Sequence, residues 1–244
     1  MNASDQRVLD EAASLMIGEA QAKENNRVFS ATGFASSNIS IVHQQLRCMN
    51  LAWALSHTKQ VTPGNVVAIV GGSFSGLMLA TALAIADDVI VYIFEKEHRL
   101  LHRFLDKSHR HLSPNLNSRY LGINADPRTS RPFFEPPIFK WHAAAASDVA
   151  FEWLEEFSQY QRKLPIFTVL NCKVTKRKIK RRADGLTIDL RSKKLPHLHA
   201  IDVDLLIDAT GFGERPIPRI SLTIAIGSQG TDSSTITCQK NVTC

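Results

Sequence analysis

The chain has 244 residues, of which 44% are hydrophobic, and a formal net charge of +6 at pH 7. This length and apolar content predict a soluble globular protein with enough core for one large domain. The apolar stretch that begins at Val66 is broken from Gly71 onward, so we expect no membrane span. The first 25 residues are acidic and lack a leader pattern, which predicts a cytoplasmic location.

The spacing of cysteine and histidine residues argues against a disulfide-stabilised protein and against a zinc protein. No CxxC pair occurs among the four cysteines Cys48, Cys172, Cys238 and Cys244. Four histidines lie close together without an accompanying cysteine or the HExxH spacing of a zinc site, namely His98, His102, His109 and His111. We therefore expect neither a disulfide framework nor a metal site.

The positive charge is concentrated in one segment. Residues 171–194 contain ten of the 29 Lys and Arg residues but only two of the 23 Asp and Glu residues. The apolar residues Val174 and Ile179 lie among these charges, which is the pattern of a strand with one buried and one solvated face. The charges are then explained by solvation, so a nucleic-acid partner is not expected. A basic interaction protein that uses residues 173–182 stays open as an alternative.

The N-terminal third begins with helical and irregular patterns. Residues 6–24 predict a helix of modest amphipathicity, and the Asn, Ser and Gly content of residues 25–40 predicts a linker. We therefore interpret residues 1–37 as an N-terminal arm. Apolar residues at helical intervals predict a second helix over residues 41–55.

The next residues predict a strand–helix–strand unit. Val66–Val70 is apolar and largely β-branched, as in a strand buried on both faces of a parallel sheet. Residues 77–86 contain helix formers without a breaker, and residues 89–96 predict a second buried strand. A right-handed crossover places both strands in one sheet.

The middle of the chain combines a long irregular region with one clear helix. Residues 98–142 are rich in His, Arg, Asn and Pro, and we interpret them as a functional loop region with a short helix over residues 100–107. Residues 148–162 predict an amphipathic helix.

Strand patterns return after this helix. Residues 166–191 predict a β-meander whose turn is Ala-Asp-Gly at 183–185, and residues 203–209 predict a further buried strand. Residues 219–244 form a Ser/Thr-rich, atypical tail. The predicted fold is α/β, with a Rossmann-like parallel sheet, helices on both faces and a β-meander insert.

Glycine and serine separate the first predicted strand from its helix. In a dinucleotide-binding βαβ unit the first glycine permits the turn, the second admits the pyrophosphate, and the third lets helix and strand pack closely. These roles fall on Gly71, Ser73 and Gly76. The Ser73 side chain narrows the space through which the pyrophosphate approaches the backbone. Gly72 beside it keeps the turn conformationally permissive, and the serine hydroxyl is a further hydrogen-bond donor to phosphate.

An acidic residue follows at the expected distance. Glu95 ends the second predicted strand, where a carboxylate holds the ribose of an unphosphorylated adenosine, as in FAD or NAD. A P-loop needs Gly-Lys-Ser/Thr, but Leu77 follows Gly76. A nucleophile elbow needs glycine two residues away on both sides of the serine, which neither Ser73 nor Ser75 has.

These motifs resemble those of a known class of proteins. The stretches VAIVGGSFSGL and FEKEHRLLHRF resemble the first βαβ unit of FAD- and NAD(P)-binding flavoprotein oxidoreductases. DLLIDATGFGERP is similar to the strand and Ala-Thr-Gly motif of the same class, and RFLDKSHRHLSPNLNSR to a bacterial subgroup of FAD-dependent oxidoreductases. The resemblance covers residues 38–218, which we interpret as an FAD/NAD(P)-binding domain.

The resemblance implies a set of cofactor-binding residues. The turn and helix start would line the pyrophosphate, Glu95 would hold the ribose, Arg103 would add a ribose or phosphate contact, and Thr210 and Gly211 would form a turn near the adenine half. The turn and helix start comprise Gly71, Gly72, Ser73, Phe74, Ser75 and Gly76.

The resemblance also implies a function, that of a flavin-dependent oxidoreductase with FAD as cofactor and NAD(P)H as electron donor. The sequence does not identify its small-molecule substrate. No catalytic acid or base is indicated. Members of the class continue to a strand with a Gly-Asp motif, which does not follow Pro218 here. We therefore expect a truncated or frameshifted form, and a nucleotide-binding module without redox turnover is the alternative.

Overall fold

A computed structural model describes residues 3–31, 40–114, 137–190 and 199–211. These residues form α-helices α1 (Ala3–Ala20), α2 (Ile41–His57), α3 (Phe74–Asp87), α4 (His102–Leu105) and α5 (Ala146–Gln161). The strands are β1 (Gln21–Ala22), β2 (Asn25–Ser30), β3 (Val66–Val70), β4 (Ile90–Phe94), β5 (His111–Leu112), β6 (Ala144–Ala145), β7 (Ile166–Val169), β8 (Ile179–Arg181), β9 (Leu186–Asp189), β10 (Ala200–Val203) and β11 (Leu205–Asp208).

A six-stranded sheet in the order β1-β2-β11-β3-β4-β7 forms the centre of the fold. Its strands run parallel from β2 to β7, and only β1 is antiparallel to its neighbour. Val67, Ala68 and Ile69 are fully buried, as expected for a strand covered on both faces. The predicted α/β class with a Rossmann-like, mostly parallel sheet flanked by helices is confirmed.

The two faces of the sheet are covered differently. On one face Val67, Ile69 and Ile93 pack in one apolar cluster with residues of α2, α3 and α5. On the other face Ala68, Phe94 and related residues pack with the antiparallel sheet β10-β9-β8. The helices of these described residues thus lie on one face, and the small antiparallel sheet takes the place of helices on the other.

Several predicted elements have shifted bounds. The first strand is found at Val66–Val70 as predicted, whereas α3 begins at Phe74 and α4 has only four residues. The single strand expected over residues 203–209 is two elements, because the chain passes from the small sheet to the large one at Asp204. The Asp204 carboxylate accepts a hydrogen bond from the Val66 amide at 2.7 Å, which holds this junction at the start of β3.

The linker prediction for residues 25–40 is wrong for Asn25–Ser30. These residues form β2, which pairs in parallel with β11, and Phe29 on this strand is fully buried. The segment is too polar to be predicted as a strand from its sequence. Its position in the sheet is fixed by β11, which comes from the far end of the chain. Residues of the predicted N-terminal arm therefore complete the central sheet, while the predicted domain limits at 37 and 218 stay predictions.

The β-meander prediction over 166–191 is wrong at its start. Ile166–Val169 pairs in parallel with β4 and belongs to the central sheet. The antiparallel meander consists of β8, β9 and β10, with the predicted turn at 183–185 correctly placed between the first two. Residues 115–136 of the predicted loop region and the whole of the tail 219–244 lie outside the described residues.

No helix within the described parts of the chain is long and apolar enough to cross a membrane.

Candidate functional site

The glycine turn between β3 and α3 is clamped between two other strands. Gly71 has φ +115°, and a Cβ atom there would lie 2.7 Å from the carbonyl oxygen of Ala209, just after β11. The Gly71 amide donates a hydrogen bond of 2.8 Å to the Phe94 carbonyl at the end of β4. The turn therefore lies at the carboxyl edge of the sheet, where parallel strands bring binding residues together.

Gly76 determines how closely α3 approaches this turn. A Cβ atom at Gly76 would lie 1.9 Å from the carbonyl oxygen of Gly71, and this contact is with backbone that cannot rotate away. Any side chain would push the first turn of α3 from the end of β3. The start of the helix is thereby held directly over the glycine turn.

The start of α3 carries unused hydrogen-bond donors. Ser73 is the N-cap residue in an extended conformation (φ −88°, ψ −178°), but its hydroxyl caps no amide. The first bond along the helix runs from the Leu77 amide to the Ser73 carbonyl at 3.1 Å. Helix geometry leaves the preceding amides of Phe74, Ser75 and Gly76 without intrahelical acceptors, at the positive end of the helix dipole.

Glu95 points toward the same turn. Its Oε2 accepts a hydrogen bond from the Gly72 amide at 2.6 Å, and its Oε1 accepts one from the Glu97 amide at 2.9 Å. The residue is only 9% exposed. Each carboxylate oxygen accepts more than one hydrogen bond, so acceptor capacity remains for a hydroxyl donor.

Sequence reasoning missed a contact of Gly72 with the segment after β4. A Cβ atom at Gly72 would lie 2.5 Å from Cδ2 of Leu100 and 2.9 Å from Cβ of Glu95. The Leu101 amide donates to the Gly72 carbonyl at 2.8 Å, and Leu101 itself has φ +51°. Gly72 is thus enclosed by protein atoms, and its missing side chain makes room for Glu95 and Leu100.

A positive φ at a leucine has no signature in a single sequence, because leucine rarely adopts this conformation. The sequence offered one signal for this contact. Leu100 and Leu101 follow closely after Glu95 along the chain, in a segment predicted as helix.

The other predicted site residues, Thr210, Gly211 and Arg103, lie outside the glycine turn. Thr210 follows β11, and both its amide and its hydroxyl donate to the Asp208 carboxylate, at 3.0 and 2.7 Å. The Thr210 amide nitrogen would lie 3.0 Å from a Cβ atom on Gly71, so this residue adjoins the glycine turn. Gly211 has φ +79°, and no atom of the described residues would lie within 4 Å of a Cβ atom there. Arg103 is exposed on α4, which begins directly after Leu101.

An aromatic cluster supports the helix start from behind. Phe74, the first residue of α3, lies 4.2 Å from Trp153 of α5 between ring centroids, and Trp153 also contacts Phe104 and Trp141. Trp153 is fully buried. This packing fixes the direction of α3 independently of any ligand.

The two buried cysteines are not suited to redox chemistry. Burial raises the pKa of the Cys48 thiol to about 12, and its Sγ lies 3.7 Å from the Ser75 carbonyl oxygen. Burial also raises the pKa of Cys172. A high pKa keeps both groups in the unreactive thiol form at neutral pH. Within the described ranges no three His, Cys, Asp or Glu residues form a group that could hold a metal ion.

The arrangement fits a ligand that joins a diphosphate to a ribose. The amides at the start of α3 are donors of the kind that bind anions, and the Glu95 carboxylate beside them has acceptor capacity for hydroxyl groups. One hydrogen bond, from Gly72 to Glu95, connects the two parts. The predicted residues from Gly71 to Gly76, Glu95 and Thr210 are therefore brought together, and the role of Arg103 stays a prediction.

The contact at Gly76 generates a prediction. Replacement Gly76→Ala should destabilise the protein by several kcal/mol or prevent folding, because the methyl group overlaps the Gly71 carbonyl. The matched control is Gly18→Ala in α1, where no atom lies within 4 Å of the new methyl group. That variant should gain roughly 0.5–1 kcal/mol from helix propensity. Urea unfolding of both variants measures the difference, and equal stabilities would contradict the contact.

The comparisons with known proteins give a fold likeness only. No family profile and no curated protein matches the chain. Among solved structures, a pyridine nucleotide-disulfide family oxidoreductase from Enterococcus faecalis V583 is 12% identical over 78% of this chain and 27% of its own, with a TM-score of 0.35.

Two further structures show similar values. A FAD-dependent pyridine nucleotide-disulphide oxidoreductase from Desulfovibrio vulgaris is 15% identical over 80% of this chain and 31% of its own, with a TM-score of 0.37. The ornithine N-hydroxylase of Kutzneria sp. 744 is 18% identical over 76% and 47%, with a TM-score of 0.38. The chain spans less than half the length of each of the three, and a likeness at this level assigns neither family nor activity.

Proposed function

We propose that this chain binds FAD through its glycine turn and acts in a flavin-dependent oxidoreductase that takes electrons from NAD(P)H. One observation carries the proposal. The uncapped N-terminus of α3 and the Glu95 carboxylate face the same turn, joined by the 2.6 Å hydrogen bond from the Gly72 amide. An anion site beside a hydroxyl acceptor fits the adenosine-diphosphate half of a dinucleotide.

The helix start supports diphosphate binding through charge and hydrogen bonding together. The first amides of an α-helix lack intrahelical acceptors, and the helix dipole adds partial positive charge at the same place. The N-cap residue Ser73 is half-buried, and its side chain bonds to none of these amides, which leaves them available. The Ser73 hydroxyl supplies one more donor to a phosphate oxygen.

Glu95 supports an unphosphorylated adenosine ribose. Its carboxylate is held at the turn by two backbone amides and accepts further hydrogen bonds from the 2′- and 3′-hydroxyls. A 2′-phosphate in the same position would bring two negative charges together, which is unfavourable. Glu95 therefore favours FAD or NAD at this turn over an NADP-type nucleotide, and FAD is the one proposed.

The chemistry divides between cofactor and chain. The flavin ring, when bound, supplies hydride and electron transfer. The chain binds the diphosphate at α3, orients the adenosine through Glu95, and keeps this half fixed by the packing of Phe74 on Trp153. We assign no catalytic acid or base among the described residues.

A nucleotide-binding module without redox turnover is the second candidate. The site that the described residues form accounts only for the adenosine-diphosphate half, which FAD and NAD share. The visible spectrum of the purified protein distinguishes the two. Yellow protein with FAD in equimolar amount supports the oxidoreductase, and colourless protein that binds NADH supports the module. Protein that binds neither nucleotide overturns both.

Substitutions at Ser73 separate nucleotide binding from stability. Asp, Asn and Ser are N-cap residues of about equal strength, so Ser73→Asp and Ser73→Asn should each keep the stability of the protein to within about 1 kcal/mol of wild type. Only Asp adds a negative charge where the diphosphate would lie, so FAD and NADH binding should be lost in Ser73→Asp and retained in Ser73→Asn. Thermal melting and fluorescence titration measure the two effects. Equal nucleotide affinity of both variants would place the diphosphate elsewhere.

Glu95 offers a second, independent comparison. Glu95→Gln removes the charged acceptor and should weaken adenine-dinucleotide binding roughly 10- to 100-fold, the loss expected for a hydrogen bond to a charged group. Glu97→Gln two residues further along is the control, because the Glu97 side chain pairs only with Lys96 among the described residues. Isothermal titration with FAD and NADH measures the affinities. Similar losses in both variants, or none in either, would exclude Glu95 as the ribose ligand.

A further inference from the structure

The strongest charge concentration lies on the segment that leads into β8. We call residues 173–182 the cationic segment. It contains a single 3₁₀ turn (Lys176–Lys178) followed by the edge strand β8. Its exposed cationic residues are Lys173, Lys176, Arg177, Lys180, Arg181 and Arg182.

Arg181 and Arg182, at the end of the cationic segment, have partners within the chain. Arg182 pairs with Asp184 at 3.4 Å and also with Asp202, whose pKa is lowered by hydrogen bonds from Thr187 and Arg182. The Arg181 guanidinium donates to the Glu24 carbonyl oxygen at 3.0 Å. In the described part of the chain no ion pair involves four other members, namely Lys173, Lys176, Arg177 and Lys180.

Protection of the sheet edge explains only part of this charge. β8 is an edge strand of the three-stranded sheet, and charged residues on edge strands discourage pairing with other chains. This accounts for Lys180 and Arg181. It does not account for Lys173, Lys176 and Arg177, which precede the strand and expose no strand edge. The prediction of one solvated strand face is accordingly wrong for residues 172–178.

The composition of the segment selects among anionic partners. Residues 171–190 contain no aromatic residue, and Val174 and Ile179 pack partly buried against the small sheet. Protein interfaces are enriched in aromatic residues and depleted of lysine, and single-stranded nucleic acids bind by stacking on aromatic rings. Stable membrane attachment requires a second, apolar anchor, which this segment does not expose. A phosphate backbone requires only lysine and arginine.

We infer that the cationic segment binds the phosphate backbone of a double-stranded nucleic acid without sequence preference. Lys173 and Lys180 lie at most about 20 Å apart along the chain, at roughly 3.3 Å per extended residue and roughly 2.0 Å per residue of the 3₁₀ turn. A duplex carries one charge per about 1.7 Å of its axis, so several phosphates lie within this reach. The segment carries no Asn or Gln side chain between residues 173 and 182 that could read adenine, and its lysines and arginines, which also bond guanine, bind phosphates of any sequence. This activity is independent of nucleotide binding at the glycine turn.

A salt titration tests the inference on the full chain. Anisotropy of a labelled DNA duplex of about 20 base pairs, roughly two helical turns, gives the affinity between about 50 and 200 mM salt. The triple variant Lys173→Glu, Lys176→Glu, Arg177→Glu should bind more weakly. Its slope of log affinity against log salt should be shallower by about 2.7, at 0.9 per phosphate contact. Two duplexes of unrelated sequence should bind the wild-type protein equally.

The control variant carries the same change of net charge at exposed sites outside the segment. Arg7→Glu, Lys59→Glu, Lys163→Glu should keep the wild-type slope to within about one phosphate contact. An equal loss in both variants would show that net charge alone binds the duplex, and would overturn the inference. So would the absence of salt-dependent binding, or binding to anionic phosphatidylserine vesicles in place of DNA and RNA duplexes. Melting curves confirm that both variants are folded.

Discussion

The candidate site depends on the absence of a side chain at Gly76. Its backbone lies so close to Gly71 that a methyl group would reach 1.9 Å from a carbonyl oxygen. Because of this approach, the positive end of α3 is held over the glycine turn at the end of β3. A helix displaced by a side chain at this position would no longer direct its free amides to the place where Glu95 is held.

The parallel sheet brings the other parts to the same edge. Glu95 follows β4, Thr210 follows β11, and the glycine turn follows β3, so three neighbouring strands end at one place. The backbone of Gly72 then links the turn to Glu95 and, through Leu101, to the segment that follows β4. Small residues are needed wherever two of these connections cross, which is why the three glycines occur within six residues.

The central part of this arrangement could be predicted from local sequence patterns. The apolar run at Val66–Val70, the glycine spacing and Glu95 indicated strand, turn and acid within thirty consecutive residues. Elements fixed by distant partners were not predictable in the same way. Asn25–Ser30 is polar and becomes a strand through β11, and Ile166–Val169 joins β4 instead of its sequence neighbours. The left-handed conformation of Leu101 likewise depends on Gly72 and leaves no local pattern.

The position of β11 between β2 and β3 has a consequence for the order in which the chain is made. On the ribosome, β2 emerges early, but its parallel partner is translated some 175 residues later. Until then β2 and β3 have a gap between them that no earlier segment fills. The helices can collapse onto β3 and β4 beforehand, whereas closure of the sheet must wait for nearly the whole described chain, a late and slow step of the kind that long-range strand pairing imposes.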